Sequence, residues 1–193
     1  MTTESAGSGL ARSAGLIGFA TLISRLLGLA RDQVLAYLFG AGNTMDAFNV
    51  AFRIPNLVRD LFAEGAMTAA FVPTFTKRLT LDGRPRAWAL GSQVINALLL
   101  VTVAVAIVGI LAAEPLVGLF AGSYAEVPGK LELTVFLTRL MFPFLTLVAL
   151  AAAVMGMLNS LDRFFVPALS PAMFNVAMIG SALLLVPLMP AFS

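Results

Sequence analysis

Eight charged side chains interrupt an apolar part of the chain, residues 24–64, which reads SRLLGLARDQVLAYLFGAGNTMDAFNVAFRIPNLVRDLFAE. These charges are Arg25, Arg31, Asp32, Asp46, Arg53, Arg59, Asp60 and Glu64. The run around Arg25 has the length of a membrane helix, yet an ionised side chain that faces lipid at mid-membrane costs about 2.5–3.5 kcal/mol on insertion scales. Arg25 is therefore expected to face protein or a water-filled cavity.

The composition of the whole chain is that of an integral membrane protein. Hydrophobic residues make up 60% of the 193 residues and charged residues 11%, whereas soluble domains carry about 25% charged residues. The apolar runs are long enough for helices, which satisfy their own backbone in lipid, and do not show the short alternating segments of a barrel. The predicted fold class is all-α, a polytopic bundle of about five transmembrane helices.

The predicted chain has two parts. Residues 1–12 are predicted to form a flexible cytoplasmic tail, and residues 13–193 a bundle of membrane helices, which the resemblance given below implies is a partial N-terminal transporter lobe. The five helices of that bundle are predicted at residues 13–38, 45–62 with an extension to 79, 88–113, 133–158 and 164–186.

Loop charges predict the orientation. The loop of residues 77–86 carries four cations and one acid, and short loops rich in Lys and Arg stay in the cytoplasm. This places the N-terminus inside as well. The acidic stretch of residues 114–132, which has an apolar face, is then predicted to be an outer loop with an interfacial piece.

Several kinds of chemistry are excluded by what the sequence lacks. It contains no Cys and no His, which rules out thiol nucleophiles and imidazole catalysis. The acids form no closely spaced cluster suited to magnesium. No catalytic residue, metal site, cofactor or nucleic-acid partner is predicted, and the chain is interpreted as a transporter and not an enzyme.

The charges of the second helix share one face. At about 100° per residue, a stripe about 80° wide collects most of its polar side chains, and Arg59 flanks it. The stripe consists of Asp46, Asn49, Arg53, Asn56, Asp60 and Glu64. A polar stripe along a membrane helix is difficult to place against lipid, so these residues are candidates for a site or for contacts between helices.

Depth and charge suggest an anionic ligand. The helical rise places Arg25 and Arg53 near the membrane midplane, and a guanidinium holds phosphate or carboxylate bidentately. We hypothesise that Asp46 pairs with Arg31, which leaves Arg25 for a ligand. Snorkelling or pairing between helices is an equally good interpretation of Arg59 and of the acids that follow it, Asp60 and Glu64.

Several segments resemble one known family. They are SRLLGLARD (residues 24–32), FGAG (39–42), MDAF (45–48), RIPNLVRDLFAEGA (53–66), FVP (71–73), FPF (142–144) and NSLDRFFVP (159–167), with Asn175 beyond them. The chain is similar in these segments to the MurJ (MviN) lipid II flippases, members of the multidrug/oligosaccharidyl-lipid/polysaccharide exporter superfamily. The similarity extends from about residue 12 to the end of the chain.

The resemblance implies a fold, a location and a substrate. The fold would be the N-terminal lobe of a two-lobe, inverted-V transporter in the bacterial cytoplasmic (inner) membrane. The substrate would be lipid II, the undecaprenyl-pyrophosphate-linked disaccharide pentapeptide, with membrane lipids and a missing C-terminal lobe as further partners. Family members have more spans, so the chain is expected to be a fragment, and a coupling-ion site is expected outside it.

The resemblance also assigns roles. Its cavity arginines match Arg25, Arg31 and Arg59, and its essential acid matches Asp46. Residues near the same pocket match Ser24 and Asp32. The predicted substrate-binding set is Arg25, Arg31, Arg59, Ser24, Arg53 and Asn56, and the predicted structural or gating charges are Asp32, Asp46, Asp60 and Glu64.

Two other functions are compatible with the sequence. A cation-coupled multidrug exporter of the same superfamily is expected to line its cavity with acids and aromatic residues, and the deep arginines argue against it. A membrane scaffold that recruits cell-wall enzymes without transport is the second alternative.

Overall fold

A computed structural model describes residues 3–40, 42–60 and 69–188. These residues are almost entirely helical, with no strand among them, which confirms the predicted all-α class. The α-helices are α1 (Thr3–Phe39), α2 (Asn43–Asp60), α3 (Val72–Leu81), α4 (Arg84–Leu111), α5 (Ala113–Ala121), α6 (Lys130–Ser160) and α7 (Phe165–Leu185). Two 3-10 turns follow α5 and α7, at Gly122–Glu126 and Val186–Leu188.

The first helix differs most from its predicted bounds. α1 begins at Thr3 and not at residue 13, so residues 3–12, predicted to be a flexible tail, are helical. This stretch contains no proline, so every residue in it keeps the backbone N–H that a helix uses. The second helix is predicted to extend to residue 79. Residues 61–68 of this extension lie outside the described residues, and most of the remainder belongs to α3.

Three of the described helices are long and apolar enough to cross a membrane. They are α4, α6 and α7 together with the turn that follows it. Their outward side chains are apolar, as at Leu100, Leu111 and Leu140, which suits contact with lipid. The first two predicted spans, on α1 and α2, are not among these three, and α2 alone carries four charged side chains. Five spans therefore remain a prediction.

The described helices form two compact units. The first unit contains α1 and α7, which pack against each other. Both helices bury small side chains, among them Ala20, Ala172 and Ala182. Small residues let two helices approach closely in a membrane. α1 ends where Gly40 adopts a φ of 65° and its N–H donates to the Ala36 carbonyl at 2.9 Å, a helix ending that favours glycine.

The second unit contains α2 to α6, with α6 packed against α2, α4 and α5. One of its two apolar clusters surrounds Phe75 and Met157, and the other surrounds Ile54 and Phe142. The buried hydroxyl of Thr134 donates to the carbonyl oxygen of Lys130, four residues earlier in the same helix, at 2.7 Å. Bonds of this kind satisfy a hydroxyl without a partner from another helix.

Gly109 fixes how closely α4 and α6 approach. A Cβ built on this glycine would overlap the ring of Phe142, a fully buried side chain of α6. The absence of a side chain therefore lets the ring lie against the α4 backbone.

We expect Gly109→Ala to lower the free energy of unfolding by about 1–3 kcal/mol, because the added methyl group overfills a packed contact. Denaturant unfolding of the purified chain in detergent measures the change. Gly118→Ala is the matched control, since a Cβ at that helical glycine meets nothing within 4 Å. Equal unfolding midpoints for the two variants would contradict the packing argument.

Candidate functional site

Arg31 is the centre of a polar cluster in the first unit. Its Nε and Nη2 donate to Oδ1 of Asp32 at 3.0 and 2.8 Å. Its Nη1 donates to Oδ1 of Asn175 at 3.0 Å, which connects α1 to α7. Asn175 also donates through Nδ2 to the backbone carbonyl of Ser24 at 3.0 Å. Ser24, Arg31 and Asp32, three predicted site residues, are thus brought together by a residue of α7.

Arg25 is exposed on α1. It makes no hydrogen bond or ion pair with a described residue of its own unit. This arrangement agrees with the prediction that Arg25 lacks an acidic partner. The role of Arg25 in binding a ligand remains a prediction.

The polar stripe of α2 lies on the exposed side of that helix within the second unit. Asp46, Asn49 and Arg53 are exposed, and Asn56 is half-buried. The opposite side buries Ala47, Ala51, Ile54 and Pro55. α2 is therefore amphipathic, as the spacing predicts, and its apolar side packs on the rest of the unit.

Two predicted binding residues of α2 have partners within that helix. Arg59 donates to Oδ1 of Asp60 from Nε at 3.0 Å and also from Nη2. Asn56 donates from Nδ2 to the carbonyl oxygen of Phe52 at 2.7 Å. The Arg53 side chain forms neither a hydrogen bond nor an ion pair with a described residue of its unit. Glu64 lies outside the described residues.

Asp46 has a partner that the sequence did not predict. Its Oδ2 lies 2.8 Å from Nζ of Lys130, the first residue of α6. Within their own units, Arg31 bonds to Asp32 and Asn175, and Asp46 bonds to Lys130. The hypothesis that Asp46 pairs with Arg31 remains a prediction. An ammonium buried at a helix contact requires a nearby carboxylate, and Asp46 meets that need.

Lys130 is the functional candidate that sequence reasoning missed. Its side chain is 8% exposed, and Nζ also lies 3.1 Å from Oδ1 of Asn43 and 4.0 Å from the ring centroid of Tyr124. A carboxylate, an amide oxygen and an aromatic face are all partners of an ammonium. One sequence signal pointed to it: Lys130 is the single cation of residues 114–132.

The charge balance of residues 24–60 follows from these contacts. Each acid there is paired, Asp32 with Arg31, Asp60 with Arg59 and Asp46 with Lys130. Arg25 and Arg53 are the two cations left without a described ion pair in their units. Within the described ranges of the chain, no group of three or more acids could hold a metal ion.

The helical fold and the three long apolar helices together define a polytopic helical membrane protein. A family model described as "Lipid II flippase MurJ" matches residues 35–192. The chain belongs to the MurJ family, which confirms the resemblance seen in its sequence.

Individual relatives agree with this assignment. The chain is 41% identical to the probable lipid II flippase MurJ of Rhizobium meliloti over 172 residues, covering 89% of this chain and 32% of the relative. It is 38% identical to the lipid II flippase MurJ of Burkholderia cenocepacia, covering 86% and 32%. These relatives are named as flippases, which are transporters and not enzymes, as the sequence predicted for this chain.

A solved structure also matches. It is titled "Lipid II flippase MurJ, inward closed conformation" and aligns with a TM-score of 0.73 and 31% identity. The alignment covers 88% of this chain and 35% of that one. The chain thus spans about a third of the length of the curated relatives it matches.

The contact between Asp46 and Lys130 predicts unequal effects of removing either partner. We expect Asp46→Ala to cost about 1–3 kcal/mol of unfolding free energy, because it leaves a buried ammonium short of an acceptor. Lys130→Met should cost less, because the Asp46 side chain is 53% exposed and can be hydrated. Denaturant unfolding of the purified chain in detergent compares the two.

The double variant Asp46→Ala/Lys130→Met should be more stable than Asp46→Ala alone, since no ammonium then remains buried. Glu126→Ala serves as the control, because that acid is exposed and forms no ion pair with a described residue of its unit. A larger loss for Lys130→Met than for Asp46→Ala would show that burial does not decide the energetics of this pair.

Proposed function

We propose that this chain takes part in moving lipid II, the lipid-linked peptidoglycan precursor, across the cytoplasmic membrane, and that its exposed arginines bind the pyrophosphate. The relatives named above are lipid II flippases. The second lobe of a longer transporter is the expected partner, because alternating access works by the rocking of two repeats or bundles about a central site.

The observation that carries the proposal is the charge balance of residues 24–60. All three acids of this stretch are paired with cations, whereas Arg25 and Arg53 are not paired within their units. The charges left for a ligand are therefore positive. An anion with several oxygens on one group, such as pyrophosphate, fits the bidentate geometry of a guanidinium.

The position of Arg25 along its helix supports the same ligand. Arg25 lies 14 residues before Phe39, the last residue of α1, which is about 21 Å along the helix axis. Since the hydrocarbon layer is about 30 Å thick, an outer surface near Gly40 would place Arg25 inside that layer, about 6 Å to the inner side of the midplane. A cation at that depth is costly unless it lines a wet cavity or meets an anion.

The remaining predicted residues receive narrower roles in the proposal. Arg31 and Arg59 are partly neutralised by the adjacent Asp32 and Asp60, so their unused N–H groups orient the ligand more than they attract it. Ser24 contributes its backbone carbonyl oxygen, which accepts a hydrogen bond from Asn175. Asp46 stabilises Lys130 and is assigned a structural part and not a ligand contact.

The orientation of the chain is part of the proposal. The cations at the end of α3 and in the first turn of α4 are exposed. They are Lys77, Arg78, Arg84 and Arg86. Exposed basic residues next to an apolar span favour the cytoplasmic side of the membrane, and this supports the proposal that the N-terminus lies on that side too.

The alternative of a cation exporter is less well supported. A cavity that accepts cationic drugs needs acids free to pair with the drug, and Asp32, Asp46 and Asp60 are each bonded to a cation of the chain. The scaffold alternative has no specific contact in its favour.

Arg25→Ala should weaken the binding of a polyprenyl pyrophosphate to the purified chain in nanodiscs by about 10–100-fold, since a charge-assisted hydrogen bond contributes about 1.5–3 kcal/mol. Arg25→Lys should recover part of the loss, because a lysine keeps the charge and loses the planar fork. Titration with the lipid, followed by native mass spectrometry or fluorescence, measures the dissociation constants.

Arg86→Ala is the matched control, since this exposed arginine lies in the first turn of α4 and its loss should leave the affinity unchanged. Polyprenyl monophosphate, measured in parallel, reports whether the second phosphate adds affinity. The proposal fails if the wild-type chain binds no pyrophosphate lipid, or if Arg25→Ala binds it as well as the wild type does.

A further inference from the structure

Asn175 is a buried polar side chain in the middle of an apolar helix. It is 6% exposed, and the α7 residues around it are almost all apolar. A buried amide in such a helix costs free energy unless its donors and acceptor are used. Its two hydrogen bonds are therefore the reason that the amide is stable at this position.

The amide meets α1 where that helix has no side chain. A Cβ built on Gly28 would lie 3.5 Å from Nδ2 of Asn175. Ser24, Gly28 and Arg31 stand at positions i, i+4 and i+7 of α1, so they share one face. The Asn175 side chain lies over this face at Gly28. It forms hydrogen bonds with Ser24 on one side of the glycine and with Arg31 on the other.

The chemistry of the two partners fixes which way the amide points. A guanidinium can only donate and a carbonyl oxygen can only accept. Oδ1 must therefore face Arg31, and Nδ2 must face the Ser24 carbonyl. Rotating the amide by 180° would oppose two donors at one end and two acceptors at the other.

The same contacts determine which part of Arg31 stays available. A guanidinium has five N–H groups, and three of them donate to Asp32 and Asn175. The two that remain are one on Nη1 and one on Nη2. The Arg31 side chain is 27% exposed, and a pair of N–H groups on the terminal nitrogens is suited to two oxygens of one phosphate.

We propose that Asn175 is a positioning residue for anion binding: it holds the Arg31 guanidinium against α1 so that the free N–H pair is presented to the ligand. This inference rests on the proposed function, because it assumes that Arg31 contacts a pyrophosphate. Asn175 itself does not touch the ligand. Its effect passes through Arg31.

An amide performs this task better than a carboxylate of the same shape. Arg31 and Asp32 together carry no net charge, so an acid at position 175 would make the cluster negative and repel an anion. It would also place a carboxylate oxygen against the Ser24 carbonyl. If Asn175 acted only in packing, Asn175→Asp would weaken binding less than Asn175→Ala does, since aspartate keeps the shape of asparagine and alanine does not.

The experiment measures dissociation constants for a polyprenyl pyrophosphate and the purified chain in nanodiscs. Asn175→Ala is expected to weaken binding about 5-fold, the effect of losing one neutral positioning bond, and Asn175→Asp should weaken it further. In an Arg31→Ala background, Asn175→Ala should have no additional effect, because the residue through which it acts is gone. A double-mutant cycle of this kind separates coupling from independent effects.

Ser181→Ala is the matched control on α7, because that exposed hydroxyl donates to the carbonyl of Ala177 in its own helix. Thermal unfolding of every variant in the same nanodiscs identifies those that do not fold. Should Asn175→Ala be among them, Asn175→Asp and Asn175→Gln carry the comparison.

The inference is overturned if Asn175→Ala binds like the wild type, if Arg31→Ala does, or if Asn175→Ala costs the same factor with and without Arg31. It is also overturned if Asn175→Asp binds better than Asn175→Ala. These failures are distinct from failure of the proposed function. In the latter case the wild-type chain binds no pyrophosphate lipid, or Arg25→Ala has no effect, whatever stands at position 175.

Discussion

The constraint that governs this chain is the cost of an ionised group in a medium of low polarity. A charged side chain in an apolar helix is stable only beside an opposite charge, a set of hydrogen-bond partners or water. Each acid of residues 24–60 satisfies this rule. Asp32, Asp46 and Asp60 each meet a cation within hydrogen-bonding distance. Of these pairs, Asp46–Lys130 also constrains how two helices pack, because separating α2 from α6 there leaves a buried ammonium without its carboxylate.

The same constraint explains how uncharged polar groups are arranged. Thr102, Thr134 and Thr138 are fully buried, and each donates its hydroxyl proton to a carbonyl oxygen of its own helix. Such side chains need no partner from another helix and leave the packing to small and apolar residues. Asn175 is different, since its amide is satisfied only by a second helix. A buried amide of this kind therefore selects one packing of α1 against α7.

The sequence predicted the helical class, the amphipathic α2 and the family with good accuracy. Hydropathy and a period of 3.6 residues are local properties, so they can be read without knowing the packing. The start of α1 was predicted too late, because polar residues without proline were taken to end a helix that in fact continues. The partner of Asp46 was missed for a different reason. Lys130 lies 84 residues away, and no periodic pattern indicates which distant residue will face a given carboxylate.

The two kinds of ion pair in this chain constrain it differently. Arg31–Asp32 and Arg59–Asp60 join neighbours in sequence, which point about 100° apart on a helix. The arginine side chain must therefore bend along its own helix to reach the neighbouring carboxylate. Such an ion pair can break without any movement of the backbone. Asp46–Lys130 joins the first turns of α2 and α6, so it cannot open fully unless those helix ends separate or a side chain changes rotamer. The local pairs consequently leave arginines able to exchange partners, whereas the pair between helices fixes structure. Of these arginines, Arg31 has an additional bond to a second helix of its unit, through Asn175, and this bond limits how far its guanidinium can move when the partner changes.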